Sequence, residues 1–537
     1  MATPPQPGPG TPPPSGPSDS PPQYGPYPPP PRPGPYAPPP VQTWQGPNPY
    51  ARTPHPPAAG PAVPPLPGHP PSPSPPPSRR GRAPLFAAVL VLLLALAGGS
   101  WAYFGSGGGA AGGPEAGEAS PPPEHPHRVK SAMSWEAPAP KGEIKDYVAS
   151  DAGGTWFTDT TVVKAEIREL KVYSRKDGKV RGTVPLPGEI CGERPPPHDG
   201  TVALAYRDGD GACARLTLID IGKLQRVWTA ELPSAHEDGE QVRWVVMARM
   251  GDRVIVAGEN TLRALSAADG EEQWESGLPE GRLTGSLAGG ERLLATSYRL
   301  SGGTAADYRV HEIDPADGGV RWSWSVPEGQ RPNVFASVSP AVVGLVSVEQ
   351  HLVNQFVALD GKGRERSRVR VAAKGSETGK DGPEQTFRPV CGYAADGCSA
   401  AVVADDTLYL PTQPAEAGSD ASTEFNKLVA FDLATGDVKW SAAAGDKRTV
   451  IPVDVDGGNV IGYAEPTGES GGRLLRFDAD SGKASLYQQH PDSDSENERD
   501  AYYTRHPPLD VYLDRGQFFI VCESLTGSEE FLIVAYE

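Results

Sequence analysis

Five cysteines, ten histidines and a few loops rich in Ser, Gly and Asp are the groups in this 537-residue chain with chemistry to offer. Cys191 and Cys213 flank a Pro-rich loop between two expected strands, and Cys391 and Cys398 flank Gly-Tyr-Ala-Ala-Asp-Gly. In an oxidising compartment the simplest pairing is two local disulfides, Cys191 with Cys213 and Cys391 with Cys398, with Cys522 left as a thiol. Spacing alone does not fix connectivity. A Cys-ligated zinc site would need C-x2-C pairs, which the chain lacks. Gly468-Glu-Ser470-Gly-Gly472 fits a nucleophile elbow only with Gly472 as the closing glycine. That motif works on a strand-to-helix turn, whereas this one sits in a Gly-rich loop between two expected strands. Asp454-Val-Asp-Gly-Gly-Asn459 with Glu465 has some features of a calcium loop, but Gly458 stands at a ligand position and Asn459 where the turn glycine belongs. An inter-strand turn is the simpler reading. His125-Pro-His127 is expected to be solvated, and there is no phosphate loop, dinucleotide fingerprint or kinase signature. The expectation is therefore no catalytic residue, no cofactor and no metal.

The elements that would carry these residues repeat. A short apolar alternation, an acidic or hydroxyl residue, and a Gly turn recur with the residue that ends the alternation at Ser174, Asp220, Ser266, Asp314, Asp360, Asp432, Asp478 and Glu537. The steps are 46, 46, 48, 46, 72, 46 and 59 residues. A strand-type period in the mid-forties is the spacing of a β-propeller blade. Turns such as Asp269-Gly270, Asp317-Gly318, Thr435-Gly436 and Ser481-Gly482 suit a glycine at positive φ. Trp228, Trp274, Trp322 and Trp440 each lie eight residues after an anchor. A large ring at that spacing is expected to pack between neighbouring sheets. The first copy has Gly182 in place of the Trp.

After Glu537 no outer strand follows, and a matching strand stands at the other end, Ser131-Ala-Met-Ser-Trp135-Glu-Ala137. It is expected to complete the last blade, with Trp135 as a further blade-packing ring, so that the sheet edges are covered. The reading is an all-β propeller of eight blades, or seven if the degenerate first copy is not a full sheet. The 72-residue step carries 26 extra residues, around Lys374–Pro389 and Thr412–Asn426. The 59-residue step carries 13, including the acidic run Asp492–Asp500. Loops longer than their siblings are where a propeller carries specificity, although a solvated loop without a partner explains the acidic run equally well.

Composition divides the rest. Residues 1–82 hold 35 of the 63 prolines and are expected to be a disordered tail of polyproline character. Its Pro-Tyr segments, such as Pro21-Pro-Gln-Tyr24 and Pro33-Gly-Pro-Tyr36, could dock in aromatic grooves, though a spacer is the plainer reading. Residues 83–104 are uncharged and predict a transmembrane helix, since ~1.5 Å per residue crosses the ~30 Å hydrocarbon layer. Arg79, Arg80 and Arg82 precede it, so the tail reads as cytoplasmic and everything beyond as extracytoplasmic. A cleavable signal would not follow an 82-residue preamble. Residues 105–130 read as a flexible stalk, and 131–537 as the propeller. Beyond residue 82 there are 44 Lys+Arg (49 − 5) against 66 Asp+Glu (67 − 1). A domain this acidic is not a nucleic-acid binder.

The Ala-Phe-Asp-x-x-Thr-Gly-x-x-x-Trp phrase of residues 430–440 resembles the repeat of pyrroloquinoline-quinone (PQQ)-type propellers, over about residues 131–537. That superfamily includes the quinoprotein alcohol dehydrogenases and the propeller lipoprotein of the bacterial outer-membrane barrel-assembly machinery. The dehydrogenases hold PQQ over a Trp floor, capped by a disulfide between adjacent cysteines, with Ca²⁺ beside a catalytic Asp. No two cysteines here are adjacent, and the matching Trp residues are the blade-packing ones, so none of that site carries over. The resemblance implies a bacterial, membrane-anchored, non-enzymatic propeller that binds an envelope protein or another ligand. Two alternatives stay open: a propeller enzyme, quinone-dependent or otherwise, and a transmembrane sensor signalling through the Pro-rich tail.

Overall fold

A computed structural model describes residues 129–140, 150–151, 153–193, 195–209, 211–233, 241–348, 352–371, 386–389, 398, 400–416, 424–445, 448–503, 510–525 and 530–537. The tail, the apolar stretch 83–104 and nearly all of the proposed stalk lie outside these residues. No helix among the described residues is long and apolar enough to cross a membrane.

Among the described residues the apolar alternation builds eight antiparallel blade sheets, seven of four strands and one of three, beside two two-stranded ribbons. Blades 1 to 7 occupy residues 155–185, 201–231, 247–277, 283–325, 330–370, 402–443 and 450–489. Blade 8 takes Asp510–Asp514, Gln517–Val521 and Phe531–Tyr536 from the C-terminal end and Met133–Pro138 from the N-terminal side. The latter pairs in register Trp135↔Ala535, Glu136↔Val534 and Ala137↔Ile533, so the ring closes on a strand from the far end of the sequence. Val129 and Lys130, assigned above to the stalk, are already docked on the last strand of blade 7 through Gln489 N–H to Val129 O at 2.7 Å.

The degenerate first copy is a complete four-stranded sheet, Thr155–Phe157 to Val180–Pro185, so the count is eight rather than seven. The incomplete blade is the second. Where its inner strand would run, isolated bridges at Ile190 and Gly192 replace a ladder, in a segment broken by Pro195, Pro196 and Pro197. Proline supplies no N–H to a ladder, which is why the strand cannot form along that run.

Each sheet buries small and branched side chains against its neighbours, and the repeated Trp sets the spacing. The anchor-plus-four glycine of one blade takes a positive φ, and the ring from the preceding blade lies on it. A Cβ added to Gly178, Gly270, Gly318 or Gly482 would fall 2.6, 2.8, 2.6 and 2.6 Å from the rings of Trp135, Trp228, Trp274 and Trp440. The same four indoles donate to the carbonyl of the residue after the next blade's anchor: Arg175 at 2.7 Å, Ala267 at 3.0 Å, Pro315 at 3.1 Å and Ala479 at 2.8 Å. Trp322 covers Gly363 but donates to Glu312 of its own blade at 2.6 Å. Between blades 5 and 6 Ser367 makes the Trp-type bond, to Leu433 O at 2.7 Å.

At the seam between blades 1 and 2 the sizes are exchanged. Gly182 stands where the ring belongs, and Leu224 occupies the turn position at φ 53°, so that a Cβ on Gly182 would collide with the Leu224 Cδ1 methyl.

Candidate functional site

In a four-strand meander the loops joining second to third strands, and the links between blades, emerge at one end of the sheets, opposite the tight turns. At that loop end, the exposed large apolar residues are Leu300 of blade 4 (58 %), Val348 and Leu352 (64 %) of blade 5, and Phe425 of blade 6, on three consecutive blades. Trp244, in the link to blade 3, is exposed at the same end.

Blade 4 supplies a loop that is described throughout. Its middle strands, Leu293–Ser301 and Thr304–Ile313, are nine and ten residues long. The inner strand last pairs at Tyr298 and the outer one at Arg309, so residues 299–308 form a ribbon beyond both neighbours. The Gly302-Gly303 turn takes φ of 59° and 83°, which only glycine adopts without strain. A bulge follows Ser297, and Asp307 takes φ 46° within it. The Tyr298 and Tyr308 rings meet at 6.0 Å across the ribbon.

A hydrogen-bonded chain through the blade fixes the bulge. The fully buried Arg282 guanidinium donates to Asp307 Oδ2 at 2.7 Å and to Ser297 Oγ at 2.9 Å. Ser297 Oγ then lies 2.7 Å from His311 Nε2, and His311 Nδ1 lies 2.7 Å from Ser323 Oγ. The arrangement is satisfied when Ser297 donates to Nε2 and Nδ1–H donates to Ser323. Burial, with Arg282 and Arg309 nearby, pulls His311 down to about 4, so it is neutral near pH 7. A Ser–His pair of this kind is a poor nucleophile–base system, because accepting a proton would place an imidazolium beside Arg282 with no carboxylate behind the ring.

The acidic run in the link between blades 7 and 8 is ordered structure. Ser495–Tyr503 is an α-helix with Glu498 fully buried. Glu498 accepts from Tyr463 OH at 2.8 Å and Gly472 N–H at 2.8 Å, and lies 2.6 Å from His490 Nδ1. Burial alone would push this carboxyl up, but the charge of His490 and these bonds outweigh it and hold it below the usual carboxylate range. Tyr502 donates to Glu465 at 3.0 Å, and Thr449 bonds the same carboxylate. Asp492, Glu496, Asn497, Arg499 and Asp500 face outward. Sequence reading missed this cluster; the one signal available was the polar residues Glu498 and Tyr502 at helical spacing.

The residues singled out for chemistry are dispersed. Cys191 and Cys213 are joined, with Cα atoms 5.8 Å apart, and the bond clamps the irregular inner segment of blade 2 to its third strand. Cys398 is also disulfide-bonded, and Cys391 lies outside the described residues. Cys522 is a buried thiol. Ser470 lies in a strand-to-strand loop, where its carbonyl accepts from Thr467 N–H at 2.9 Å. Asp454 belongs to the strand Val450–Asp456, and Gly457-Gly458 is its hairpin turn. Glu465 is committed to Tyr502 and Thr449, so the calcium-loop pattern does not assemble. Among the described residues there is no group of three or more His, Cys, Asp and Glu side chains placed to hold a metal. At the turn end of blades 1 and 2, a depression of about 510 Å³ is lined by Phe157, Thr158, Asp159, Thr160, Pro197, Gly200 and Ile221; Asp159 is paired to Arg515.

A family model described as outer membrane protein assembly factor BamB, of the PQQ-repeat type, matches residues 131–286, 225–392 and 394–501. The chain belongs to this family. No curated protein sequence matches it. Among solved structures it is similar to BamB from Moraxella catarrhalis, at 12% identity over 75% of this chain and 99% of that one, with a TM-score of 0.39. It is similar also to the quinohemoprotein alcohol dehydrogenases of Comamonas testosteroni (12% identity, 76% and 75% covered, TM-score 0.43) and Pseudomonas putida HK5 (11%, 76% and 76%, 0.43). Five indoles of this BamB-family chain, Trp135, Trp228, Trp274, Trp322 and Trp440, cover glycine turns of the next blade.

Proposed function

We propose that this BamB-family propeller is a membrane-anchored, extracytoplasmic binding scaffold that holds a partner protein of the cell envelope at the loop end of blades 4 to 6. The observation that carries this reading is the confinement of Leu300, Val348, Leu352 and Phe425 to adjacent loops at one end of the ring. Isolated exposed apolar residues need no explanation, but several on neighbouring projecting loops are the usual composition of a protein-binding patch. A rigid closed ring suits the role, since loops held by packed sheets lose little freedom on binding. Binding rather than catalysis is favoured because the Arg282–Ser297–His311–Ser323 chain of blade 4 and the Glu498 bonds of blade 7 are committed to holding the loops in place.

The anchor is residues 83–104, oriented by Arg79, Arg80 and Arg82. A disulfide at Cys191–Cys213 fits an oxidising compartment on the far side of that anchor. The test is photo-crosslinking in intact cells from a reactive side chain placed at position 300, 352 or 425, followed by identification of what is attached. The same protein captured from at least two of these positions, and lost on Leu300→Asp with Phe425→Asp, is the expected result. Buried apolar anchors of this kind cost about 2 kcal/mol or more each on truncation, so affinity should fall at least about thirtyfold. Capture only from a position on the tight-turn end, such as 362, would sink the assignment.

A further inference from the structure

We propose that blade 4 contains an acid-sensitive latch: protonation of His311 releases the Arg282–Asp307 clasp and frees the 299–308 ribbon. The inference deepens the docking role given to this loop, and rests on that role for its biological meaning but not for its physics.

The argument begins with the Ser297 hydroxyl. It accepts from Arg282 Nε–H at 2.9 Å and lies 2.7 Å from His311 Nε2, to which it donates when the neutral ring carries its proton on Nδ1. An imidazolium has no lone pair at Nε2, so the hydroxyl would then have to receive two cations at once. Both cations are fully buried, and Arg309, on the same strand as His311, adds a third charge nearby. The opposing groups are few. Glu280 lies in the link before the inner strand and is occupied by Arg299, with Arg309 at 3.5 Å. Asp307 is engaged by Arg282 itself, with Arg299 and Arg309 further off at 3.8 and 3.9 Å. Ser323 on the outer strand is neutral, and Arg331 of blade 5 lies near Tyr308.

The least costly relief is movement of Arg282 or of the ribbon it holds. Asp307 is the weak point. It is a non-glycine residue at φ 46°, a conformation that the Arg282 bond holds in place. Once that bond opens, the ribbon stays tied at its base by the Tyr308 carbonyl, which accepts from Val326 N–H at 2.9 Å, and by the Arg299–Glu280 pair. The rest can relax to a regular hairpin, because no strand pairs with it beyond Tyr298 and Arg309. His311 at about 4 in the closed form, against an ordinary value of 6.5, sets the size of the effect. If the open form restores the ordinary value, lowering the pH from 7 to 4 multiplies the open population as much as about a hundredfold.

The test is hydrogen exchange by mass spectrometry on the full-length chain at pH 7 and pH 4, with rates corrected for the intrinsic effect of pH. Peptides covering 299–308 should exchange at least tenfold faster at pH 4, while those covering Arg253–Ser266 of blade 3 hold their protection. His311→Gln, which keeps a donor and an acceptor but no titration, should abolish the difference. Asp307→Asn, on an exposed residue and independent of how the glutamine variant folds, should loosen the ribbon already at pH 7 and leave little further change at pH 4. Equal protection of 299–308 at both pH values overturns the latch. So does loosening that spreads equally to blade 3, or that survives His311→Gln. Failure of the crosslinking experiment with the latch intact would overturn the docking role alone.

Discussion

The exchanged seam between blades 1 and 2 allows the repeat logic to be tested by moving two residues. At five seams a ring lies on a glycine turn, and at this one Gly182 faces Leu224. Gly182→Trp alone drives an indole into the Leu224 side chain, an overpacking that costs about 1–3 kcal/mol. Leu224→Gly alone has two opposing effects. It removes a side chain from φ 53°, worth about 1–2 kcal/mol in its favour. It also strips a half-buried leucine from the bare surface of Gly182, at a loss of about 1–2 kcal/mol, leaving a net change near zero. The double variant rebuilds the seat seen at Trp228 and Gly270, with the new indole N–H directed at the carbonyl of Ile221, the residue after the anchor. It should be as stable as the parent or more so, and the coupling between the two changes should be about 1–3 kcal/mol in the favourable direction. Chemical denaturation of the four proteins measures the cycle. Additivity within about 0.5 kcal/mol, or a double variant weaker than both singles, would refute the view that ring and glycine form one interchangeable lock.

Three further expectations follow from the same geometry. Trp135→Ala should cost about 3–5 kcal/mol, because it empties a buried site stacked on Tyr173 and edged by Phe519, and it should expose the strand Met133–Pro138 to limited proteolysis sooner than Trp274→Ala does. Replacing Cys191 and Cys213 together should cost about 3 kcal/mol, the loop-closure term for a separation of 22 residues, read by denaturation of the oxidised parent against the double variant. Lowering pH should weaken the fold through His311. Its folded value, about 4, lies below the ordinary 6.5, so the unfolded chain binds the proton first. Stability is therefore full above pH 6.5 and falls by at most about 3 kcal/mol as pH drops toward 4. The denaturation midpoint of His311→Gln should vary less steeply over that window, by close to one proton, and an unchanged slope would contradict the burial argument.

What could be read in the sequence was what repeats. The anchors at Ser174 to Asp478, the turn glycines and Trp135 at the far end of the chain are each specified by local chemistry, a ring eight residues from an anchor or a glycine at positive φ. They narrow the sheet count to seven or eight and place Met133–Pro138 in the last blade. The groups that hold the candidate site are of another kind. Arg282, Ser297, His311 and Ser323 come from four segments of blade 4, and each is unremarkable where it stands in the sequence. Only the register Leu294↔Glu312, Ala295↔His311 and Ser297↔Arg309 brings the serine and the histidine onto one face of neighbouring strands. Glu498 shows the same limit more sharply. As one letter in an acidic run it carried no sign of burial, because its partners Tyr463, Gly472 and His490 lie on other strands and links. A carboxylate with those bonds is more favourably placed inside than in water, so the helix folds inward around it and turns Glu496 and Asp500 to the solvent. Loop length located the insertion, but its conformation was decided by partners that the periodic pattern does not mention. The parts of this molecule that differ from blade to blade, and so can distinguish one ligand from another, are for that reason the parts a repeat-based reading leaves undetermined.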